Sequence, residues 1–183
     1  MNDQAVLLDR WANFYLLTSS AAATLIGLLF VVITFAAERM QPEDTAKIRL
    51  YLTPTVVYFA SVLFAAALLT FPGHTWLTAA LCICLVGAVG LVYSGSGFFG
   101  HDKKSYVEGG DLIPYAVFPF AAYGLLVSGG LLILHDSPRG LTIVGVGMLA
   151  LLALGVRNSW FVATEVVSTR KKAALAQFIF TLS

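Results

Sequence analysis

The chain has 183 residues, of which 58% are hydrophobic and only 11% are charged, and its mean hydropathy is +0.84. A water-soluble domain needs a larger share of charged residues on its surface, so this composition excludes one and predicts an integral membrane protein. The formal net charge of +1 excludes a nucleic-acid-binding protein, which would carry a clustered basic excess.

A window of about 19 residues, the usual length for finding membrane helices, divides the chain into five apolar stretches separated by short polar breaks. Each stretch can cross roughly 30 Å of hydrocarbon as a helix, and none shows the alternation of a membrane β-strand. We therefore predict an all-α fold, a polytopic transmembrane helical bundle that forms one domain over residues 1–183. The predicted spans are 14–37, 48–71, 75–99, 112–134 and 141–167. A basic and then apolar tail, residues 168–183, either continues the last helix or lies at the membrane surface.

The first span carries small and hydroxyl-bearing residues at spacings of three and four, which place them on one helical face. These residues are Ser20, Thr24, Gly27, Val31, Thr34 and Glu38. Such a stripe lets another helix approach closely and supplies hydrogen bonds between helices. The alternative interpretation is a polar path that lines a pore or cavity.

Signatures of cofactor, metal and catalytic sites are absent from the sequence. Residues 95–100, "GSGFFG", match the spacing of a dinucleotide-binding loop, but they end a membrane helix and follow no strand. Cys82 and Cys84 lie on nearly opposite faces of one helix, and the three histidines lie in loops with no enforced convergence. We predict no cofactor, no metal and no enzymatic activity.

Lys and Arg are distributed unevenly between the two sides of the five predicted spans. Nine fall on one side and two on the other, which accounts for all eleven. Because basic loops are retained in the cytoplasm, this asymmetry predicts an outer N-terminus and a cytoplasmic C-terminus.

The fifth span contains polar residues near its cytoplasmic end. Asn158 and Glu165 are seven residues apart and share a helical face. We hypothesise that they turn inward to meet Glu38, or Lys47 and Arg49 at the start of the second span, in a polar cluster at the inner mouth of the bundle.

Arg157 lies within about a turn of the predicted inner interface, where a long guanidinium side chain reaches water and serves as an anchor. Together with the stripe and the cluster, it completes the set of candidate residues for a polar path. That set is Ser20, Thr24, Thr34, Glu38, Arg49, Arg157, Asn158 and Glu165.

With "GLLFV" in the first span and "RNSW" in the last, the chain resembles a group of small bacterial polytopic inner-membrane proteins. The matching residues are Gly27 to Val31, then Asn158, Trp160 and Glu165, and Ser159 stands where the group has alanine. The resemblance implies a bacterial inner-membrane location and carries over no activity.

The functional expectation is an integral membrane protein that forms a homo-oligomer with a channel or transport role. The alternative is an accessory or regulatory subunit that binds another membrane protein through the same small-residue faces. The expected partners are the lipid bilayer and a second copy or another membrane protein, with no nucleic acid.

Overall fold

A computed structural model describes the backbone of residues 3–37, 42–73, 75–99 and 117–182, and side-chain surroundings over 6–34, 52–73, 75–96 and 117–164. The described residues form five α-helices and no strand, which confirms the all-helical prediction for this part of the chain. The helices are α1 (Asp3–Ala37), α2 (Pro42–Thr70), α3 (Trp76–Phe99), α4 (Phe118–Leu134) and α5 (Arg139–Leu182).

Four of the helices contain a segment that is long and apolar enough to cross a membrane. These segments are Val6–Thr34, Leu52–Thr70, Trp76–Ser96 and Arg139–Thr164. The described part of α4 has 17 residues, or about 25 Å of helix, which is shorter than the roughly 30 Å of hydrocarbon in a bilayer. That the fourth predicted span, residues 112–134, crosses the membrane therefore stays a prediction.

The tail after the fifth predicted span continues the helix. α5 has 44 residues, or roughly 66 Å at 1.5 Å per residue, about twice the thickness of the hydrocarbon. Residues 168–183 were predicted either to continue the last helix or to lie at the membrane surface. The backbone continues as one helix as far as Leu182.

A tight turn joins α2 to α3. Gly73 has φ +81°, a left-handed conformation that a side chain would strain. Thr75 then caps α3, because its Oγ1 accepts the backbone N–H of Thr78 at 3.2 Å while the Thr78 Oγ1 accepts the N–H of Thr75 at 2.8 Å. This reciprocal cap starts α3 within three residues of the turn.

Helices α2, α3, α4 and α5 form a closed ring in which each packs on the next, and α1 lies outside the ring against α2 and α5. The α3–α4 contact is the most extensive. Glycines bring the helices of the ring together: a Cβ on Gly87 would lie 2.7 Å from Val127, and one on Gly129 would lie 2.7 Å from Val144. The missing side chains allow the close backbone approach that drives helix association in lipid.

Aromatic residues of α1 pack against α5 and form a hydrogen bond with it. The Tyr15 hydroxyl, fully buried, donates a hydrogen bond of 3.0 Å to the carbonyl of Leu141. The rings of Trp11 and Phe14 pack edge to face with centroids 5.5 Å apart, next to the space left by Gly145. These contacts anchor the N-terminal half of α1 to the start of α5.

Candidate polar sites in the bundle

The hydroxyl stripe of α1 points away from the ring. Ser20, Thr24 and Thr34 are exposed. Each donates its hydroxyl to the carbonyl four residues earlier, at 2.9 Å to Leu16, 2.8 Å to Ser20 and 2.9 Å to Phe30. These hydroxyls are therefore satisfied within α1 and do not line the interior of the subunit.

Of the four long apolar segments, the one in α1 is the least covered: 17% of it is buried in the subunit, against 33% to 50% for the other three. Ala23 and Gly27, four residues apart, are exposed on the same face as the hydroxyl stripe, and a Cβ on Gly27 would meet nothing within 4 Å. We call the surface of Ser20, Ala23, Thr24, Gly27, Val31 and Thr34 the α1 outer face.

Side chains fill the interior of the ring over the described residues. Tyr123 on α4 is fully buried, and its hydroxyl shares a hydrogen bond of 2.9 Å with the Ser61 hydroxyl on α2. The Tyr58 ring lies 6.3 Å from the Tyr123 ring, centroid to centroid. The surrounding core is apolar: Val62, Ala65, Ala66, Ile83, Leu126, Met148 and Leu151 are all buried. A continuous polar path through the middle of one subunit would have to displace this core.

Asn158 is the most buried of the candidate residues whose surroundings the structure describes, with 1% of its surface exposed. Its Oδ1 has no hydrogen-bond partner among the described residues. One turn earlier on α5, a Cβ on Gly155 would lie 2.7 Å from Cζ of Phe59 and closer still to Cε1, so this part of α5 packs tightly on α2. A buried carbonyl left without any partner costs about 1–3 kcal/mol.

Ser94 on α3 is a second buried polar residue. It is 8% exposed, and its buried Oγ also has no hydrogen-bond partner among the described residues. Ser94 lies one turn beyond Gly90 on α3.

The remaining candidate residues divide into two groups. Arg157 is exposed, and its role as an interfacial anchor stays a prediction. Glu38 lies outside the described residues. The backbone of Arg49 belongs to α2 and that of Glu165 to α5, but the structure does not describe their side chains. Asn158 does turn inward; its meeting with Glu165, Glu38 or the basic residues of α2 stays a prediction.

Sequence reasoning also missed the interhelical hydrogen bond between Ser61 and Tyr123. A usable signal was available, since Tyr58 and Ser61 are three residues apart and share one face of an apolar helix. The sequence does not show that this face of α2 meets α4, because α3 separates the two helices along the chain.

Over residues 6–34, 52–73, 75–96 and 117–164, no group of three or more His, Cys, Asp or Glu residues converges. Cys82 and Cys84 are free thiols. The Cys84 Sγ lies 3.8 Å from the carbonyl of Val127, the weak contact expected of a thiol at a helix interface.

Comparisons of the chain with known proteins found no match. No protein-family model matches the chain, and no curated protein or solved structure matches it significantly.

Proposed function

We propose that the protein is a multi-pass protein of the bacterial inner membrane that self-associates through the α1 outer face, with a channel or transport role at the contact between subunits. The observation that supports it best is the exposed small-residue surface of α1. Ala23 and Gly27 present almost no side chain there, so a facing helix can approach closely.

The packed interior of the ring favours a path between subunits over a path through one subunit. The core around Tyr123 is packed with buried apolar side chains over the described residues. On α1, by contrast, Ser20, Thr24 and Thr34 are spaced along one face over the second half of the apolar segment. A hydroxyl that donates to its own helix keeps a lone pair free, so a row of them offers acceptors to water or a cation.

The proposed arrangement in the membrane has five spans, an outer N-terminus and a cytoplasmic C-terminus. The uneven distribution of Lys and Arg supports it. Reporter fusions at the two ends of the chain should report opposite compartments, and reporters active in the same compartment would contradict an odd number of spans.

The mass of the protein in detergent tests self-association. Gly27→Leu places a bulky side chain on the α1 outer face and should reduce the oligomer to a monomer. Gly124→Leu is the matched control, because Gly124 also lies in an apolar helix where a Cβ meets nothing within 4 Å. A wild-type monomer, or equal masses for the two variants, would contradict association through this face.

Ion flux into liposomes tests the channel or transport role. Thr24→Val removes one hydroxyl without changing the shape of the side chain, and Thr142→Val is the control at an exposed threonine of α5. Flux should fall in the first variant alone, and Glu38→Ala and Glu165→Ala test the predicted inner cluster in the same assay.

A second candidate function is an accessory subunit that binds another membrane protein through the α1 outer face. The internal hydrogen bonds of Ser20, Thr24 and Thr34 favour it, because satisfied hydroxyls suit a dry helix contact. A monomer without flux would support this candidate over the first.

A further inference from the structure

The relative direction of α2 and α5 follows from the connections between the helices of the ring. Short turns join α2 to α3 and α4 to α5, so each of these pairs is antiparallel. In the contact between α3 and α4, Gly87 packs on Val127. Gly90, about one turn further along α3, packs on Tyr123, one turn earlier on α4, so these helices are antiparallel as well. α2 and α5 therefore run in opposite directions.

Two buried polar residues lie at the same level of the contact between α2 and α5. Gly155 on α5 packs on Phe59 of α2, where a Cβ would lie 2.7 Å from Cζ of the ring. Because the helices are antiparallel, the turn after Gly155 lies beside the turn before Phe59. These turns carry Asn158, which is 1% exposed, and Thr55, which is fully buried. The Asn158 Oδ1 has no hydrogen-bond partner among the described residues.

A proline weakens α2 at this level. Pro54 lies inside α2, directly before Thr55. Because proline has no N–H, the carbonyl of Leu50 loses its helical donor, and the proline ring crowds the same carbonyl. A helix bends more easily at such a position than elsewhere along its length. The weak point of α2 thus coincides with the level at which α5 buries Asn158.

We propose that α2 and α5 separate reversibly at Thr55 and Asn158, with α2 bending at Pro54, and that water enters and hydrates the Asn158 amide. In the packed form, burial deprives the Oδ1 of the hydrogen bonds that water would donate to it. Opening restores those bonds. The free-energy difference between the packed and the hydrated form is therefore smaller at this level than along an apolar part of the contact.

The apolar core confines the opening to one end of the contact. From Gly155 towards the α2–α3 turn, the two helices bury apolar side chains, among them Val62, Ala65, Ala66, Met148 and Leu151. Water at those residues would meet hydrocarbon surface and would gain no hydrogen bond there. Water therefore enters from the end at which α2 begins and stops near Gly155. The opening requires the membrane insertion proposed above, and it requires neither self-association nor flux.

The reaction rate of a buried thiol with a charged maleimide tests the proposal in mild detergent, where both ends of the protein meet water. Val162→Cys, in a Cys82→Ala and Cys84→Ala background, places the thiol one turn beyond Asn158 at a position that is 2% exposed. Leu151→Cys places it at a fully buried position on the other side of Gly155. The Val162→Cys thiol should react at least about tenfold faster than the Leu151→Cys thiol, because only the first lies in the part that opens.

Removal of the buried amide should close the contact. Adding Asn158→Leu should slow the reaction of the Val162→Cys thiol about tenfold, the equivalent of about 1.4 kcal/mol, because no buried carbonyl then gains from water. Ser159→Ala is the matched control. The Ser159 hydroxyl already donates to the carbonyl of Gly155 at 2.9 Å, so its removal should leave the rate unchanged.

Removal of the weak point in α2 should act in the same direction. Pro54→Ala returns a backbone N–H to the carbonyl of Leu50 and should slow the reaction of the Val162→Cys thiol about fivefold, as expected for one regained hydrogen bond. Pro119→Ala is the control, because Pro119 lies in the first turn of α4, where proline removes no helical hydrogen bond.

Three results would overturn the proposal. Equal rates for the two thiols would show that the whole bundle opens or that neither part does. A Val162→Cys rate that both Asn158→Leu and Pro54→Ala leave unchanged would assign the reaction to fraying of the helix end. Faster reaction of the Leu151→Cys thiol in Pro54→Ala would show that this proline stabilises the packed contact. Carbonate extraction of native membranes separates these failures from a failure of membrane insertion, which alone would release the protein into the soluble fraction.

Discussion

Replacing Gly90 by alanine should destabilise the bundle through a single steric conflict. A Cβ at Gly90 would lie 2.5 Å from Cγ of Tyr123 and closer still to Cδ1 and Cε1. The ring cannot swing away cheaply, because Tyr123 is fully buried and its hydroxyl is held 2.9 Å from Ser61. Accommodating one methyl group therefore requires a shift of α4 against α3 or a new position for the ring.

The expected magnitude follows from two terms. Overpacking a well-filled core costs about 1–3 kcal/mol. Moving the ring also weakens the hydrogen bond between Tyr123 and Ser61, which costs about 0.5–1.5 kcal/mol more. The gain from replacing a helical glycine, about 1 kcal/mol, opposes both terms.

Gly124→Ala isolates the steric terms. A Cβ there meets nothing within 4 Å, so this variant carries the same gain in helix propensity without the conflict. The difference in unfolding free energy between Gly90→Ala and Gly124→Ala should be about 1.5–4.5 kcal/mol, because the propensity term cancels.

The assay is unfolding of the protein in mixed micelles by increasing fractions of dodecyl sulfate, followed by circular dichroism. Gly90→Ala should unfold at a clearly lower fraction than Gly124→Ala. Adding Tyr123→Leu to Gly90→Ala makes room for the methyl group, so the two substitutions should be non-additive. Equal midpoints for the two glycine variants would refute the packing of α4 against α3 described above.

The same titration checks three further expectations. Gly155→Ala should be less stable than Gly124→Ala by about 1–3 kcal/mol, because its Cβ meets the Phe59 ring, and Phe59→Leu should recover part of that loss, whereas additive effects would contradict the contact. A double-mutant cycle of Tyr123→Phe and Ser61→Ala should give a coupling of about 0.6 kcal/mol, the average for hydrogen bonds between membrane helices, and zero coupling would exclude the bond. Asn158→Leu should stabilise by about 1–3 kcal/mol, because it removes a buried carbonyl that has no partner among the described residues, and a loss of stability would show that Oδ1 bonds to another part of the chain or to water.

The sequence by itself determined that this chain is helical and apolar enough for a bilayer. Both conclusions depend on local quantities, the length and hydropathy of each stretch, which need no knowledge of neighbours. The break between the second and third predicted spans, at residues 72–74, was predicted for the same reason, since a proline and a glycine interrupt the apolar sequence there.

Only the tertiary structure decided which helical faces meet. The hydroxyl stripe of Ser20, Thr24 and Thr34 suited either the interior or the outside, and it faces outward because α1 packs outside the ring of the other four helices. Hydropathy cannot resolve this choice in a membrane, because a lipid-facing surface and a buried surface are equally apolar. The contacts of Tyr123 with Gly90 and Ser61 depend on pairings between distant parts of the chain, and no local pattern contains that information.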